Sequence, residues 1–174
     1  RDWMPLVAMS WKNWHLSILE DDMTGQVVGI KISEIKKGPS SSLNEACLIA
    51  GFGIEGDSKA GKGHRQVSLL ATESIEKMKL RNVSGLCSGK FSENITTTRV
   101  ALWELPVSTQ VMIGDVVLEI SQVGKECHEG CEIKSTYGQC VMPKEGIFAK
   151  VVKGGRIQVG DAIRVDIPAD SLGE

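Results

Sequence analysis

Three of the chain's five cysteines, Cys127, Cys131 and Cys140, fall in one polar stretch, GKECHEGCEIKSTYGQC, together with His128. Such a group could ligate zinc or an iron–sulfur cluster. Structural zinc sites, however, pair Cys-x-x-Cys, and no second pair exists here, so no metal is expected. The plainer alternative is that the thiols are small buried hydrophobes. That suits Cys47 and Cys87, which lie among apolar or small residues. It suits Cys127 poorly, because Lys125, Glu126, His128 and Glu129 surround it. A thiol beside a lysine and a histidine is expected to favour the thiolate. Thiolate is the form that attacks sulfur, so the implied chemistry is thiol exchange or sulfur transfer. Lys125 would stabilise the thiolate, and His128 could relay a proton. A hydrolytic triad would need a histidine base and an orienting residue, and the chain holds only His15, His64 and His128.

The second stretch with chemical content is GIEGDSKAGKGHRQVSLL, from Gly53. From Gly56 it reads Gly-x-x-x-x-Gly-Lys, which resembles a P-loop. A P-loop needs a Ser or Thr after its lysine to bind Mg²⁺, and a helix whose first amides hold the phosphates. Gly63 follows Lys62 instead, and HRQVSLL reads as a strand. The match is coincidental, and no nucleoside triphosphate site is expected. The loop still concentrates donors: Lys59, Lys62, His64 and Arg65 sit among Gly56, Gly61 and Gly63. Arg65 could hold a phosphate through a bidentate fork. For the two lysines the simpler reading is a solvated turn; for His64 and Arg65, at the mouth of a strand, function and ordinary surface compete evenly.

The elements that must position these residues are mostly strands. QVVGIKIS is β-rich, QVSLLA is a short apolar run, and VVLEISQV alternates, with Val116, Leu118 and Ile120 on one face and Glu119 and Ser121 on the other. GIFAKVVKGGRIQVGDAIRVDI reads as strand, Gly154-Gly155 hairpin turn, strand, Gly160-Asp161 turn, strand. Only TESIEKMKL has helical character, with Thr72 as its expected N-cap. Short strands and frequent glycine turns predict a mainly β fold, a compact β-barrel with one or two short helices.

Residues 1–22, which carry Trp3, Trp11 and Trp14, are expected to be an extension before a domain spanning 23–167, with 168–174 as a tail. The net charge of −2 gives no bulk electrostatic case for nucleic acid or a membrane surface. The longest apolar run, ACLIAGFGI, is too short to span a bilayer. An odd cysteine count without a secretion signal points to a reducing, cytoplasmic setting, which makes the sequons at Asn82 and Asn94 chance matches.

Taken in order, GIEGDSKAGKGHRQVSLL, FSENITT, VMIGDVVLEISQVGKEC and GIFAKVVKGGRIQVGD resemble the MOSC domain, the module named for the C-terminal part of molybdenum cofactor sulfurase. The resemblance runs from about Thr24 to Ile167 and is greatest to the short stand-alone bacterial form. It implies a β-rich barrel and sulfur handling for metal–sulfur cofactor assembly. Cys127 would be the catalytic thiol and carry sulfur as a persulfide. Cys131 and Cys140 would be accessory thiols. Asp57, Lys62, His64, Arg65 and Asn94 would bind a molybdopterin-type phosphate ligand. Glu126 stands where the family often has proline. The two extra thiols open the alternative that one resolves a persulfide into a disulfide.

Molybdenum ion and pyridoxal phosphate binding belong to the family at large. This chain has no lysine-centred pyridoxal phosphate domain, so a separate cysteine desulfurase is the implied donor. Molybdenum cofactor assembly proteins or molybdoenzymes are the implied partners. No flavin or haem motif supports a reductase role. The alternative to a sulfur carrier is a non-catalytic module that holds molybdopterin.

Overall fold

Apolar residues at every second position, many of them β-branched, fold most of the chain into strands. The computed structural model describes residues 24–61, 63–79, 91–126 and 140–167. Its strands are β1 (Thr24–Ile32), β2 (Ser41–Leu43), β3 (Glu45–Ile49), β4 (Gly53–Ile54), β5 (Val67–Ala71), β6 (Ile95–Thr98), β7 (Gln110–Ile113), β8 (Val116–Val123), β9 (Ile147–Lys153), β10 (Gly155–Gln158) and β11 (Ala162–Asp166). The short helices are α1 (Thr72–Lys79) and α2 (Met142–Glu145), with a 3₁₀ turn at Leu102–Glu104.

Seven strands close into a barrel in the order β11-β7-β8-β9-β5-β6-β1, sealed by antiparallel pairing of β1 with β11. Closure removes the free edges of those strands, which would otherwise invite pairing with other chains. The mainly β barrel, with two short helices among the described residues, matches the expectation from sequence. Along β8, Val116, Leu118 and Ile120 are fully buried, as the alternation requires. They meet Val111 and Ile113 of β7, Ile163 of β11, Leu69 of β5 and Ile95 of β6 in the barrel's core. Burying each such side chain is worth about 1.5–3 kcal/mol.

β5 is buried on both faces because it is covered twice. Val67 and Leu69 join the barrel core, while Leu70 joins a second cluster with Ile75 and Met78 of α1 and Phe91. β5 and β6 pair in parallel, so the chain between them must cross over, and α1 is part of that connection.

Three local expectations need correction. Gly154-Gly155 does not turn a hairpin: β9 pairs with β8 and β5, whereas β10 pairs with β3 in a separate sheet ordered β10-β3-β4. The glycine pair carries the chain from one sheet to the other, and a Cβ on Gly154 would lie 2.5 Å from the carbonyl oxygen of Leu48. The Gly160-Asp161 turn, by contrast, is present as expected and leads from β10 back to the barrel at β11. Thr72 lies inside α1, and its buried hydroxyl has no hydrogen-bond partner among the described residues, so it is not the cap. Cys47 is exposed, not buried, because β3 alternates and turns Ala46 and Leu48 inward instead.

Glu73, in the first turn of α1, ties the helix to the end of β6. Its Oε1 accepts hydrogen bonds from Thr98 Oγ1 at 2.8 Å and from the Arg99 amide at 2.7 Å. Arg99 needs such an anchor, because its φ of 62° is unfavourable for a side chain of this size. Burial works to raise the Glu73 carboxyl. The hydrogen bonds from the Arg99 and Glu73 amides and the Thr98 hydroxyl, with the charge of Lys77, prevail and hold it below its ordinary value.

Candidate functional site

The loop between β4 and β5 carries the donors singled out in the sequence, and a buried polar network fixes its base. Asp57 is 6% exposed; its Oδ1 accepts from the Ser33 amide at 3.0 Å and its Oδ2 from Asn94 Nδ2 at 3.0 Å. Asn94 Nδ2 also donates to the Lys31 carbonyl at 3.1 Å. Asn94 Oδ1 accepts from the Ser68 amide at 3.1 Å and the Ser68 hydroxyl at 2.9 Å. Asp57 and Asn94, both expected at the ligand, are thus brought together beneath the loop, with their polar atoms bonded inside the protein. Asn94 is 2% exposed, so its sequon is sealed from modification. Lys59, read as a turn lysine, reaches across to the Ser92 carbonyl at 2.8 Å. Lys62 lies outside the described residues.

The far end of the loop is anchored by Gln66. Its amide nitrogen donates to the Gly63 carbonyl at 3.0 Å, and its oxygen accepts from the Val151 amide at 2.9 Å. Between these anchors His64 and Arg65 are exposed and meet the C-terminal end of β8. Gln122 Oε1 lies 3.0 Å from His64 Nε2 and accepts from Arg65 Nε at 2.8 Å. The Arg65 guanidinium stands 5.3 Å from the centroid of the Phe148 ring, a cation–π contact that steadies the group. Ser121 Oγ is within hydrogen-bonding reach of the His64 carbonyl and the Phe148 carbonyl and donates to one at a time.

Sequence reasoning named His64 and Arg65 but missed Gln122 and Ser121. The register of β8 against β9 slips between Ile120 and Gln122, leaving Ser121 as an extra residue. Such bulges re-aim side chains. Simple alternation would continue Val116, Leu118, Ile120 to Gln122 on the core face, so the one available signal pointed away from it.

β8 then leads towards the cysteine stretch. Gly124 donates to the Gly146 carbonyl at 2.6 Å, and Lys125 to the Met142 carbonyl at 3.2 Å, which docks this segment on α2. Gly124 has φ of 74°, and a Cβ there would collide with the Pro143 carbonyl, so glycine is required. Cys127, Cys131, Cys87 and His128 lie outside the described residues. Cys140 is half-buried and packs with Val141 and Met142 against the cluster of Leu70, Ile75, Met78 and Phe91. Among the described residues, no group of three or more His, Cys, Asp or Glu side chains is arranged to hold a metal ion, and no helix is long and apolar enough to cross a membrane.

Chemically, the loop offers an imidazole and a guanidinium whose terminal nitrogens make no hydrogen bond among the described residues. The pair suits an oxyanion such as a phosphate. The glycine loop leads into β5, a strand, where a P-loop would open a helix.

A closed β-barrel with a donor loop laid against one strand end defines the class of protein. The family model of the MOSC domain matches residues 56–164, and the chain belongs to the MOSC family, with a molybdenum-cofactor-related role. Solved structures share the fold. YuaD from Bacillus subtilis superposes with a TM-score of 0.69 at 19% identity, covering 82% of this chain and 96% of that one. YiiM from Geobacillus stearothermophilus gives a TM-score of 0.63 at 15% identity, covering 82% and 75%. YiiM from Escherichia coli gives 0.58 at 14%, covering 83% and 71%. No curated protein matches the sequence.

Proposed function

We propose that the protein is a sulfur carrier or sulfurtransferase in molybdenum cofactor assembly, with Cys127 as the thiol that holds sulfur as a persulfide. The observation that carries this reading is the meeting of His64 and Arg65 with Gln122 at the end of β8, the strand that runs on to Cys127 five residues after Gln122. Residues distant in sequence thereby supply anion-binding groups at the end of the strand that precedes the thiol in sequence.

In the proposed reaction the Cys127 thiolate attacks the outer sulfur of a persulfide on a cysteine desulfurase. A new sulfur–sulfur bond forms on Cys127, the donor's bond breaks, and the donor leaves as thiolate, with no net redox change. Arg65 and His64, with Lys62, would hold the phosphate of a molybdopterin-type ligand. The donor set fits that group: a guanidinium with its terminal nitrogens available and an imidazole stand at an exposed site. The bound ligand would supply the sulfur acceptor. Cys131 and Cys140 are accessory in this reading, and the partial burial of Cys140 against Val141 and Met142 suits a thiol that does not present sulfur. The desulfurase and the cofactor-assembly proteins are the proposed partners, in the cytoplasm.

The test is transfer of labelled sulfur from a desulfurase supplied with labelled cysteine. Cys127→Ala should abolish protein-bound label, whereas Cys131→Ala and Cys140→Ala should keep most of it. Label retained by Cys127→Ala refutes the assignment. An unlabelled parent that still binds molybdopterin would instead favour a non-catalytic binding module.

A further inference from the structure

The bond pattern around Gln122 carries more than proximity. Its Nε2 donates to the Gly124 carbonyl at 2.7 Å, and a carbonyl can only accept, so the amide nitrogen faces Gly124. Its Oε1 faces Arg65 Nε, which can only donate, so the two neighbours fix the amide's orientation independently. The same oxygen sits 3.0 Å from His64 Nε2. An amide oxygen offers no proton, so His64 Nε2 must carry one. In the neutral ring Nδ1 is then bare.

From this arrangement we infer that Gln122 is the positioning residue of the site: it sets the His64 tautomer and ties His64 and Arg65 to β8 with one oxygen. That oxygen's two lone pairs are filled by these two donors, which leaves the terminal nitrogens of Arg65 for an anion; His64 Nδ1 is an acceptor in the neutral ring and donates to an anion only in the imidazolium form. The backbone secures the amide in turn. The Gly124 carbonyl accepts from Gln122, and the Gly124 amide donates a hydrogen bond to the Gly146 carbonyl at 2.6 Å. The bulge at Ser121 makes the placement possible, because it breaks the alternation that would send residue 122 towards the core.

The significance of this role rests on the proposed function, since it is the sulfur-transfer site that Gln122 would organise; the measurement does not. The full chain, labelled with ¹⁵N and studied with no sulfur donor or pterin, is compared with Gln122→Met and Gln122→Glu by side-chain nitrogen spectroscopy. In the parent, neutral His64 should show a protonated Nε2 and a bare Nδ1. Exchange of the Arg65 Nε proton with water should be about tenfold slower than in Gln122→Met, the factor that one hydrogen bond of ordinary net strength imposes. Gln122→Glu keeps an acceptor and should restore slow exchange. A proton on Nδ1 in the parent overturns the inference. So does unchanged Arg65 exchange in Gln122→Met, or exchange in Gln122→Glu as fast as in Gln122→Met. The His64 measurement needs no variant, so the inference stays open to refutation even if Gln122→Met does not fold. Failure of Cys127 to take up sulfur would leave this result untouched, and the reverse also holds.

Discussion

Replacing Asn94 with Ala should unfasten the donor loop from the barrel. The side chain is 2% exposed and joins β1, β5 and the loop through bonds to the Lys31 carbonyl, Ser68 and Asp57. Truncation leaves the Ser68 amide, the Lys31 carbonyl and the Asp57 carboxylate each short of a partner in a buried place. Each unmade bond costs about 1–3 kcal/mol, more where a charge is involved. Water that enters the vacated space recovers part of this, so the expected loss is about 3–5 kcal/mol. With a urea slope of about 2 kcal/mol per M, the unfolding midpoint should fall by about 2 M. Equilibrium urea unfolding followed by tryptophan fluorescence measures it. A loss below about 1 kcal/mol at unchanged slope would show that the network does not hold the loop, and the positioning argument for Asp57 and Asn94 would fail with it.

Glu73→Gln should destabilise the protein at neutral pH. The carboxyl is held below its ordinary value, so its contribution is fully present above the unfolded-state pKa and is lost as pH falls through the lower folded-state pKa. The gap in thermal midpoint between parent and variant should therefore close on acidification below about pH 4.3; a gap that persists or widens in acid refutes the assignment. Gly124→Ala should cost at least about 2 kcal/mol, because positive φ and the collision with Pro143 act together. Thermal unfolding checks it, and a neutral substitution would mean that α2 does not hold the end of β8.

How far the sequence discloses such a molecule depends on whether the signal is local. The alternation of VVLEISQV shows the core face of β8 because each residue's fate depends on the pleat alone. Gly154-Gly155 misleads because a glycine pair permits a turn without saying which strands it joins. Here the partners of β10 are residues 45–48, more than a hundred positions away. Cys47 misleads for another reason: in ACLIA every residue is apolar or small, so the alternation that exposes Cys47 is hidden within a uniform run. In the loop, charge marks Arg65 and its neighbours, but nothing local tells Asp57 that its carboxylate will be spent on Ser33 and Asn94.

Gln122 was illegible for the most specific reason. Its position depends on a bulge, and bulges leave no trace in hydrophobic period. Yet the same strand shows why a bulge belongs there. A regular β8 would pass its alternation unbroken to residue 122 and leave His64 and Arg65 without a common acceptor. One extra residue at Ser121 lets the strand stay a core element through Ile120 and become a site element from Ser121 onward. Gly124 then turns the chain at a φ that other residues resist and locks it to α2. The barrel thus supplies rigidity up to the point where chemistry is needed, and the departure from regular pairing begins where the donor loop arrives.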